Sequence, residues 1–364
     1  MNDHSHMRAA LALARRGWGS TWPNPSVGCV LVREGRVVGR GHTAPGGRPH
    51  AETEALRRAG ALARGATAYV TLEPCAHHGQ TPPCAEALVA AGVIRVVIAS
   101  PDPDPRVNGR GVGILRAAGV EVVEGVLAEE GEEVHAGFLS RVRRGRPLLT
   151  LKLATTLDGR IATRTGESQW ITGTAARRAA HAMRGEHDAV LVGAGTVASD
   201  NPDLTCRIPG FSPRSLLRVV ADSHLRTALT ARVVMTAAAA PTAVLHRDGA
   251  DPARLQAFRT AGVTLHAVPA ASPGVDLAAG LQVLGSMGVT RLLAEGGARI
   301  AAALLRLGLV DRIAWFHAPA VMGGDGLPAA AGFGADLLAA LPRFHRVRAT
   351  PIGEDMLTEL RLAA

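Results

Sequence analysis

Three potential metal ligands and one carboxylate form the strongest chemical pattern in this sequence. His50 lies two residues before Glu52, and two thiols follow at Cys75 and Cys84. One imidazole and two thiolates fill three positions of a tetrahedral zinc ion and leave the fourth open, as at catalytic zinc sites. Zinc would lower the pKa of a water molecule at the open position, and Glu52 would carry its proton to a departing amine. The pattern therefore predicts zinc-dependent hydrolysis at an amino-bearing carbon.

Each of these residues also has a simpler interpretation when taken alone. A single histidine is more often a surface residue, and a single cysteine is more often a small buried hydrophobe, which is how we interpret Cys29 within an apolar strand. A structural zinc site remains the alternative, and it needs a fourth protein ligand from His77 or His78. The order of all three ligands with Glu52 favours the catalytic site.

A second chemical signal is the only lysine of the chain. Of 40 basic residues, 39 are arginines and one is Lys152. A lysine offers a compact ammonium group, whereas arginine offers a planar fork of donors. In a chain that uses arginine elsewhere, Lys152 is predicted to serve a site that needs the compact group, with chance as the alternative.

The first half of the chain contains the elements that would position the zinc ligands. Short apolar runs alternate with helical patterns, which is typical of a layered α/β sheet. Strands are predicted at residues 26–33, 36–41, 68–72 and 93–99, and helices at 7–16, from 51 onward, 85–91, 111–118 and 129–138. The basic segment 141–147 is interpreted as the linker to a second domain.

The second half repeats the α/β pattern around Lys152. Strands are predicted at residues 148–154, 188–192, 216–221, 242–246, 263–268, 290–294, 312–317 and 356–362, helices at 174–184, 252–261, 277–287 and 298–307, and a loop at 236–241. The chain is therefore expected to form two three-layer α/β domains, at residues 1–145 and 146–364. A length of 364 residues suits two domains of ordinary size.

A glycine-containing segment follows one of these strands. Residues 193–198 imitate the dinucleotide fingerprint of a Rossmann domain, and Asp222 would then be the ribose carboxylate. Pro202 disfavours a long helix directly afterward, so this interpretation is the weaker one. Segments 151–160, 166–172 and 192–207 resemble a reductase instead, and this resemblance implies a cofactor that lies across the strand ends and the glycine pair 296–297, with its phosphates facing the first amides of helix 298–307.

Composition limits the possible partners. The net charge of +9 could attract nucleic acid, but aromatic residues make up only 3% of the chain and the one dense arginine cluster lies in the predicted linker. A nucleic-acid deaminase with an appended nucleotide-binding module is therefore the less favoured alternative. Four cysteines without a secretory signal do not suggest disulfides, and no apolar run is long enough to span a membrane, so a cytoplasmic protein is expected.

The motifs resemble those of a known family. His50 with Glu52, followed by Pro74 and Cys75, is similar to the signature of zinc nucleobase deaminases. The eight residues between the two thiols and the segment 23–29 resemble the deaminase half of the bifunctional deaminase-reductases of riboflavin biosynthesis. Segments 151–160, 166–172 and 192–207 resemble the reductase half of the same family, whose fold is like dihydrofolate reductase, whereas the first half is cytidine-deaminase-like.

The resemblance implies two consecutive reactions on a small molecule. The first is zinc-dependent deamination of 2,5-diamino-6-(5-phosphoribosylamino)pyrimidin-4(3H)-one. The second is NADPH-dependent reduction of the ribosyl group of 5-amino-6-(5-phosphoribosylamino)uracil to a ribityl chain. It implies no nucleic-acid or membrane partner, and the apolar segments 301–309 and 337–341 favour a homo-oligomer.

The resemblance also implies site residues. In the deaminase half, Asn24 would contact the pyrimidine, with His42 as a weaker candidate and His77 and His78 near the substrate. In the reductase half, Lys152 would act beside Asp200 at the sugar carbon that receives hydride. Substrate contacts would be Ser168, Arg184, Leu204, Arg207 and Glu295, and NADP contacts would be Ala154, Trp170, Thr196, Asp200, Ser223, Gly297, Ala298, Arg299, Ile300, Ala301, Ala302 and Ala303. Without the resemblance, Trp170 would be a core residue, and Arg184 and Arg207 would be solvated charges.

Overall fold

The computed structural model describes residues 2–79, 82–211, 216–272 and 274–363. The chain divides into two compact units, unit 1 at Met1–Arg146 and unit 2 at Pro147–Ala364. The sequence analysis placed the boundary one residue earlier. Each unit contains its own sheet.

In its described part, unit 1 has a five-stranded sheet in the order β2-β1-β3-β4-β5, with β1 antiparallel to β2 and β3 and the other pairs parallel. The strands are β1 Gly28–Arg33, β2 Arg36–His42, β3 Thr67–Leu72, β4 Arg95–Ser100 and β5 Glu121–Glu124. The helices are α1 Asp3–Arg15, α2 Ala51–Ala59, α3 Cys84–Ala90, α4 Arg110–Ala117 and α5 Ala128–Arg144, with 3-10 turns at Pro45–Gly47 and Gly60–Ala63. The sequence analysis missed β5, because its four residues begin and end with exposed glutamates and show no apolar alternation.

Helices cover both faces of this sheet. Val30, Tyr69 and Val97 pack with residues of α1 and α5, whereas Leu31 and Val70, which point to the opposite face, pack with α2, α3 and α4. Successive side chains of a strand alternate between faces, so each strand contributes to both cores. Cys29 is fully buried in one of these cores, which confirms its predicted place.

The predicted linker at 141–147 is wrong for its first residues. Helix α5 continues to Arg144 and ends at Gly145, whose φ is 69°. Arginines in the last turn interact favourably with the helix C-terminus, and glycine adopts the left-handed conformation that ends the helix. The arginine cluster therefore belongs to a helix.

In its described part, unit 2 has a nine-stranded mixed sheet in the order β11-β10-β9-β8-β14-β6-β15-β18-β17. The main strands are β6 Leu148–Thr156, β8 Ala189–Gly193, β9 Leu217–Ala221, β10 Thr242–Arg247, β11 Thr264–Val268, β14 Arg291–Ala294, β15 Arg312–Ala318, β17 Phe344–Ile352 and β18 Asp355–Leu362. Short strands β7 Arg160–Ala162 and β16 Leu327–Pro328 form one pair, and β12 Ala270–Ala271 and β13 Gly274–Val275 form another. The helices are α6 Thr174–Gly185, α7 Ala194–Asp200, α8 Arg232–Met235, α9 Pro252–Thr260, α10 Leu277–Ser286 and α11 Ala298–Arg306, with a 3-10 turn at Leu338–Ala340.

The sequence analysis missed β17, a nine-residue strand. Most of its side chains are exposed, and Arg346, Arg348 and Pro351 interrupt any apolar pattern. It lies at the sheet edge and pairs antiparallel with β18, where charged residues and proline are expected. Strand β18 runs antiparallel to both β15 and β17, which makes the sheet mixed.

The seven neighbouring strands β11, β10, β9, β8, β14, β6 and β15 run parallel. Their carboxyl ends therefore lie at one edge of the sheet. Helix α7, which follows β8, ends after Asp200 at Asn201, where φ is 40°. The predicted early end of this helix is confirmed. Of the apolar segment 301–309, Ala301 and Leu304 are fully buried within unit 2. No helix in the described ranges is long and apolar enough to cross a membrane.

Candidate active sites

The three predicted metal ligands converge in unit 1. The Nδ1 atom of His50 lies 3.3 Å from the Sγ atom of Cys84 and 3.7 Å from that of Cys75, and the three ligand atoms all lie within 4.8 Å of one another. Among residues 2–79 and 82–211, neither His77 nor His78 joins this cluster, and His78 instead lies 3.5 Å from Glu86. Two sulfurs and one nitrogen, with no fourth ligand among the described residues, fit a catalytic zinc ion.

Three different elements bring these ligands together. His50 directly precedes α2, Cys75 follows β3, and Cys84 begins α3. The backbone N–H of Cys84 donates a hydrogen bond to the Cys75 sulfur at 3.2 Å. Gln80 and Thr81, in the loop between the two thiols, lie outside the described residues.

Glycines on β2 allow α2 to lie close to the sheet. A Cβ atom on Gly41 would clash with the carbonyl oxygen of Ala51, and one on Gly39 would clash with that of Ala55. Helix α2 can therefore approach β2 only where the strand lacks side chains. This contact fixes the start of the helix, and with it His50 and Glu52.

Glu52 is buried at 4% exposure in the first turn of α2. Burial raises the pKa of its carboxyl group to about 7, the His50 imidazole opposes this shift, and Cys75 adds to it. The hydrogen bond from the Cys84 thiol lowers the pKa of Cys75 to about 4, and His50 lowers it further, against the effect of burial. The site thus combines a thiolate ligand with a carboxyl group that can gain or lose a proton near neutral pH.

The other deaminase candidates lie on segments next to this cluster. The Nδ2 atom of Asn24 donates a hydrogen bond of 3.3 Å to the carbonyl of Gly47, three residues before His50. His42 is half-buried at the end of β2. His77 has a buried Nδ1 atom without a hydrogen-bond partner in the described part of the chain.

A half-buried charged cluster lies at the strand ends of unit 2. Arg184, at the end of α6, forms two hydrogen bonds with Glu295, from Nε to Oε1 at 2.6 Å and from Nη2 to Oε2 at 2.8 Å. Glu295 follows β14, and Lys152 lies on the neighbouring strand β6. Burial lowers the pKa of Lys152, Glu295 raises it and Arg184 lowers it. Burial would raise the pKa of Glu295, but the Arg184 and Lys152 cations bring it below its ordinary value.

Asp200 is the residue predicted to act beside Lys152 at the sugar carbon. Its Oδ1 atom accepts a hydrogen bond of 2.8 Å from the Ser199 hydroxyl at the exposed end of α7. The carboxylate that acts on the Lys152 ammonium is Glu295. The role of Asp200 beside Lys152 stays a prediction.

The loop 201–207 lies against this cluster. The carbonyl of Thr205 accepts a hydrogen bond from Nη1 of Arg184 at 3.2 Å. Leu204 has a left-handed φ of 54°, which is strained for a branched residue, and its side chain is buried in the core of unit 2. Leu204 can therefore meet a ligand only through its backbone. Arg207 is exposed and contacts His181 on α6.

Several cofactor candidates meet at another pair of strand ends. The N–H of Gly297 donates a hydrogen bond of 3.2 Å to the Thr196 hydroxyl. The N–H groups of Ile300 and Ala301 bond to the carbonyl of Gly297, so the free amides at the start of α11 belong to Ala298 and Arg299. Free amides at a helix start favour phosphate oxygens. The side chains of Ala301 and Ala302 are buried, so they cannot contact a cofactor directly. They can only support the surface of α11 that does.

The remaining reductase candidates lie on exposed segments. Trp170 is 66% exposed and has the Arg177 guanidinium 4.7 Å from its ring, so it is not a core residue. Ser168 is half-buried in the same segment, which Asp355 holds by accepting a hydrogen bond of 2.7 Å from the N–H of Gly173. Ala154 lies half-buried near the end of β6.

The Rossmann interpretation of Asp222 does not agree with the structure. This side chain is 1% exposed, and its Oδ2 atom accepts a hydrogen bond of 2.6 Å from the N–H of Thr227. Its Oδ1 atom is also buried and has no hydrogen-bond partner in the described part of the chain, so the carboxylate is not exposed to a cofactor. The neighbouring Ser223 is half-buried, and its carbonyl accepts a hydrogen bond of 3.2 Å from the N–H of Arg247 on β10.

Sequence reasoning missed His181 and Thr205. His181 lies among alanines and arginines in α6, where nothing distinguishes it from a solvated side chain. The spacing of His181 and Arg184, three residues apart on a helix, could have indicated a shared face. Only the position of the loop shows that both contact Thr205.

Comparison with known families gives two matches. The model of the RibD C-terminal domain matches residues 147–358. The model of the cytidine and deoxycytidylate deaminase zinc-binding region matches residues 1–100. The two matches together include the metal cluster and the charged cluster of unit 2.

Similar proteins extend over the whole chain. The riboflavin biosynthesis protein RibD of Escherichia coli is 40% identical, with 99% of each chain covered. The Aquifex aeolicus protein of the same name is 41% identical over 98% of this chain and 97% of its own. Among solved structures, Acinetobacter baumannii RibD has a TM-score of 0.90 at 37% identity and covers 100% of this chain and 99% of its own. A Thermotoga maritima diaminohydroxyphosphoribosylaminopyrimidine deaminase/5-amino-6-(5-phosphoribosylamino)uracil reductase has a TM-score of 0.87 at 35% identity, with 99% of each chain covered.

Proposed function

Because this chain belongs to the RibD family of bifunctional deaminase-reductases of riboflavin biosynthesis, we propose which reaction each part of it performs. Residues 1–145 deaminate 2,5-diamino-6-(5-phosphoribosylamino)pyrimidin-4(3H)-one, taking up water and releasing ammonia. Residues 146–364 then reduce the ribosyl group of 5-amino-6-(5-phosphoribosylamino)uracil to ribityl with a hydride from NADPH and a proton.

The observation that carries the deaminase proposal is the convergence of His50, Cys75 and Cys84 beside a buried carboxyl group. Zinc bound by these three ligands supplies a Lewis acid that makes water a nucleophile near neutral pH. Glu52 takes the proton from the water and returns it to the leaving amino group, and its pKa of about 7 suits both transfers. The amide of Asn24 reads the ring edge, because it offers both a donor and an acceptor.

In the reductase part, the Lys152 ammonium and Glu295 face the sugar of the substrate. Arg184 holds Glu295 by two charge-assisted hydrogen bonds, and Arg207 receives the substrate phosphate, which a guanidinium fork binds well. Backbone groups at Leu204 and the hydroxyl of Ser168 complete the substrate site. These roles follow the family resemblance and agree with the observed charges.

NADPH is proposed as the cofactor that supplies hydride. Its proposed contacts are Ala154, Trp170, Thr196, Asp200, Ser223, residues 297–300 and Ala303. The buried Ala301 and Ala302 support this surface from within α11. The support from the structure is the pair of free amides at the start of α11 and the burial of Asp222. A free carboxylate at a strand end would favour the ribose hydroxyl of NADH and repel the additional phosphate of NADPH.

The protein is also proposed to form a homo-oligomer. Leu337 and Leu338 are 69% and 79% exposed, which leaves apolar surface that a second copy can cover. The segment 301–309, in contrast, is largely used within unit 2.

The test is an assay of the purified full-length protein that records ammonia release and NADPH oxidation separately. The variant Glu52→Gln should keep its zinc content and lose ammonia release by at least about 100-fold, because the amide cannot carry the proton. NADPH oxidation with the deaminated substrate should remain, and NADH should replace NADPH poorly.

The matched control is Glu54→Gln. Glu54 lies on the same helix, but its carboxylate pairs with Arg57 at 2.8 Å and Arg58 at 2.6 Å. Its ammonia release should equal that of the parent protein. A Glu52→Gln variant that still releases ammonia at the parental rate would exclude this carboxyl group as the proton carrier.

A further inference from the structure

His181 on α6 lies between the loop 201–207 and the charged cluster formed by Arg184, Glu295 and Lys152. We propose that His181 is a positioning residue for the reduction, which holds the guanidinium of Arg207 ready for the substrate phosphate. This inference rests on the proposed function of Arg207. His181 itself is not required to touch the substrate or the cofactor.

The hydrogen bonds of the imidazole determine its protonation. The Nδ1 atom of His181 lies 3.1 Å from the carbonyl oxygen of Thr205, and a carbonyl can only accept, so Nδ1 carries the hydrogen. The Nε2 atom then has a free lone pair. It accepts from Nε of Arg207 at 3.3 Å and from Nη2 at 3.1 Å. The neutral imidazole thus joins the loop backbone to the arginine side chain.

Without this acceptor, Arg207 has little to hold it. Its side chain is 63% exposed, and within the described ranges its remaining ionic neighbour is the Oδ2 atom of Asp203 at 4.0 Å. That same carboxylate oxygen lies 3.1 Å from Nη1 of Arg232. An exposed arginine samples many rotamers, and ordering it at the moment of binding weakens affinity. The imidazole removes part of this cost beforehand.

The same loop carbonyl connects His181 to the reacting groups. Thr205 accepts hydrogen bonds from both His181 and Arg184, which lie three residues apart on one face of α6. Arg184 also donates a hydrogen bond to Glu295, and the charge of Glu295 raises the pKa of Lys152. The position of Arg207 is therefore fixed relative to the ammonium and carboxylate that face the sugar. A phosphate held at Arg207 places the sugar at a set distance from them.

Protonation of His181 would remove the lone pair that holds Arg207. Burial lowers the pKa of His181, as do the Arg184 and Arg207 cations, whereas its bond to Thr205 and Glu295 raise it. Other charged or titratable groups at this loop are Asp203 and Cys206. Because the folded pKa lies below the ordinary value of 6.5, the imidazole is neutral at pH 7 and gains a proton only as the pH falls further. The KM for the substrate should then rise on the acid side.

The test uses His181→Ala and His181→Gln in the full-length holoenzyme, with the deaminated substrate and NADPH. Loss of the acceptor should raise KM in His181→Ala about tenfold while kcat stays within about twofold. A glutamine can donate to Thr205 and accept from Arg207, so His181→Gln should restore KM. Its KM should also lack the rise below pH 6.5, because an amide does not titrate in this range.

Arg207→Ala separates this inference from the proposed function, with Arg259→Ala, an exposed arginine at the end of α9, as the control. If Arg207→Ala leaves KM unchanged, the phosphate role of Arg207 fails, and the inference fails with it. If Arg207→Ala raises KM but His181→Ala does not, only the inference is overturned. The double variant should match Arg207→Ala, because the two residues act through one contact. Additive effects, or a KM of His181→Gln that equals that of His181→Ala, would also overturn the inference.

Discussion

At the scale of single residues, the charges around a carboxyl group determine its pKa and therefore its chemical role. Glu52 is a buried carboxyl group and Glu295 a half-buried one, and their pKa values shift in opposite directions. Glu52 has mainly burial acting on it, which disfavours its charge. Glu295 has the Arg184 and Lys152 cations beside it, which stabilise the charge. The first therefore suits proton transfer, and the second suits fixed electrostatic stabilisation.

Lys152 provides the residue-scale prediction. Lys152→Ala removes the ammonium next to Glu295 and should lower kcat for NADPH oxidation by about 100-fold, because a positioned charge or proton donor at the reacting sugar is lost. Ammonia release should remain at the parental rate. Steady-state kinetics of both reactions check this outcome.

Lys152→Arg is the matched variant. It keeps the positive charge but spreads it over a planar group that cannot occupy the same space, so most of the activity should still be lost. Full NADPH oxidation in Lys152→Ala would show that the only lysine of the chain has no part in the reduction.

At the scale of elements, each site depends on how closely helices and loops approach strand ends. His50 directly precedes a helix that rests on glycines of β2, and the loop 201–207 is held from α6 by His181 and Arg184. Glycines and backbone carbonyls determine how closely these segments approach one another, and the reactive side chains do not. Changes there should alter a site without touching its ligands.

Gly41→Ala tests this dependence. Its new Cβ atom would clash with the carbonyl of Ala51 and push the start of α2 away from the sheet, which moves His50 from the two thiols. Zinc content per chain and ammonia release should both fall, whereas NADPH oxidation should be retained. Metal analysis by mass spectrometry, together with the two assays, checks the result.

Gly113→Ala is the control for this prediction. Gly113 lies within α4, and an added Cβ atom would have no neighbour within 4 Å among the described residues. It should keep its zinc and could stabilise the helix by up to about 1 kcal/mol. Equal zinc content in Gly41→Ala and the parent protein would contradict the role given to the close approach of α2.

At the scale of the whole molecule, each unit contains a deeply buried neutral histidine. Burial lowers the pKa of His135 in unit 1 to about 4, partly opposed by its bond to Thr71. Burial, followed by the nearby Arg291 cation, lowers the pKa of His187 in unit 2 to about 3. In the unfolded chain both imidazoles would titrate at about 6.5. Acid therefore favours unfolding of both units.

The sign of the pH dependence follows from these shifts. Below pH 6.5 the unfolded chain binds protons that the folded chain does not, so the free energy of unfolding falls as the pH falls from about 6.5 towards 4. Each histidine contributes a slope of at most about 1.4 kcal/mol per pH unit. Thermal unfolding at pH 7.5, 6.0 and 5.0 should show a decreasing Tm.

His135→Gln should flatten this dependence for unit 1, because a glutamine can still donate to Thr71 but does not titrate. His4→Gln, a change at an exposed histidine, should leave the profile unchanged. A Tm that stays constant from pH 7.5 to 5.0 would contradict the neutral state of both buried imidazoles.

The sequence by itself determined the local features of this protein. Ligand types at His50, Cys75 and Cys84 indicated zinc, because few residue types bind this metal and their order is characteristic. Apolar periodicity located most of the strands and helices, since burial imposes a repeat on the residues that face a core. The early end of α7 was also predicted, because proline acts on its immediate neighbours.

Tertiary structure decided what depends on contacts between distant segments. Edge strands β5 and β17 lacked a pattern because few of their side chains are buried, and only pairing with a neighbouring strand makes them strands. Glu295 raises the pKa of Lys152, because the order of strands in the sheet places β14 beside β6. His181 acquired a role only where the loop 201–207 meets α6. Hydrogen bonds and electrostatic forces act over a few ångströms in space, and spacing along the chain does not reveal that proximity.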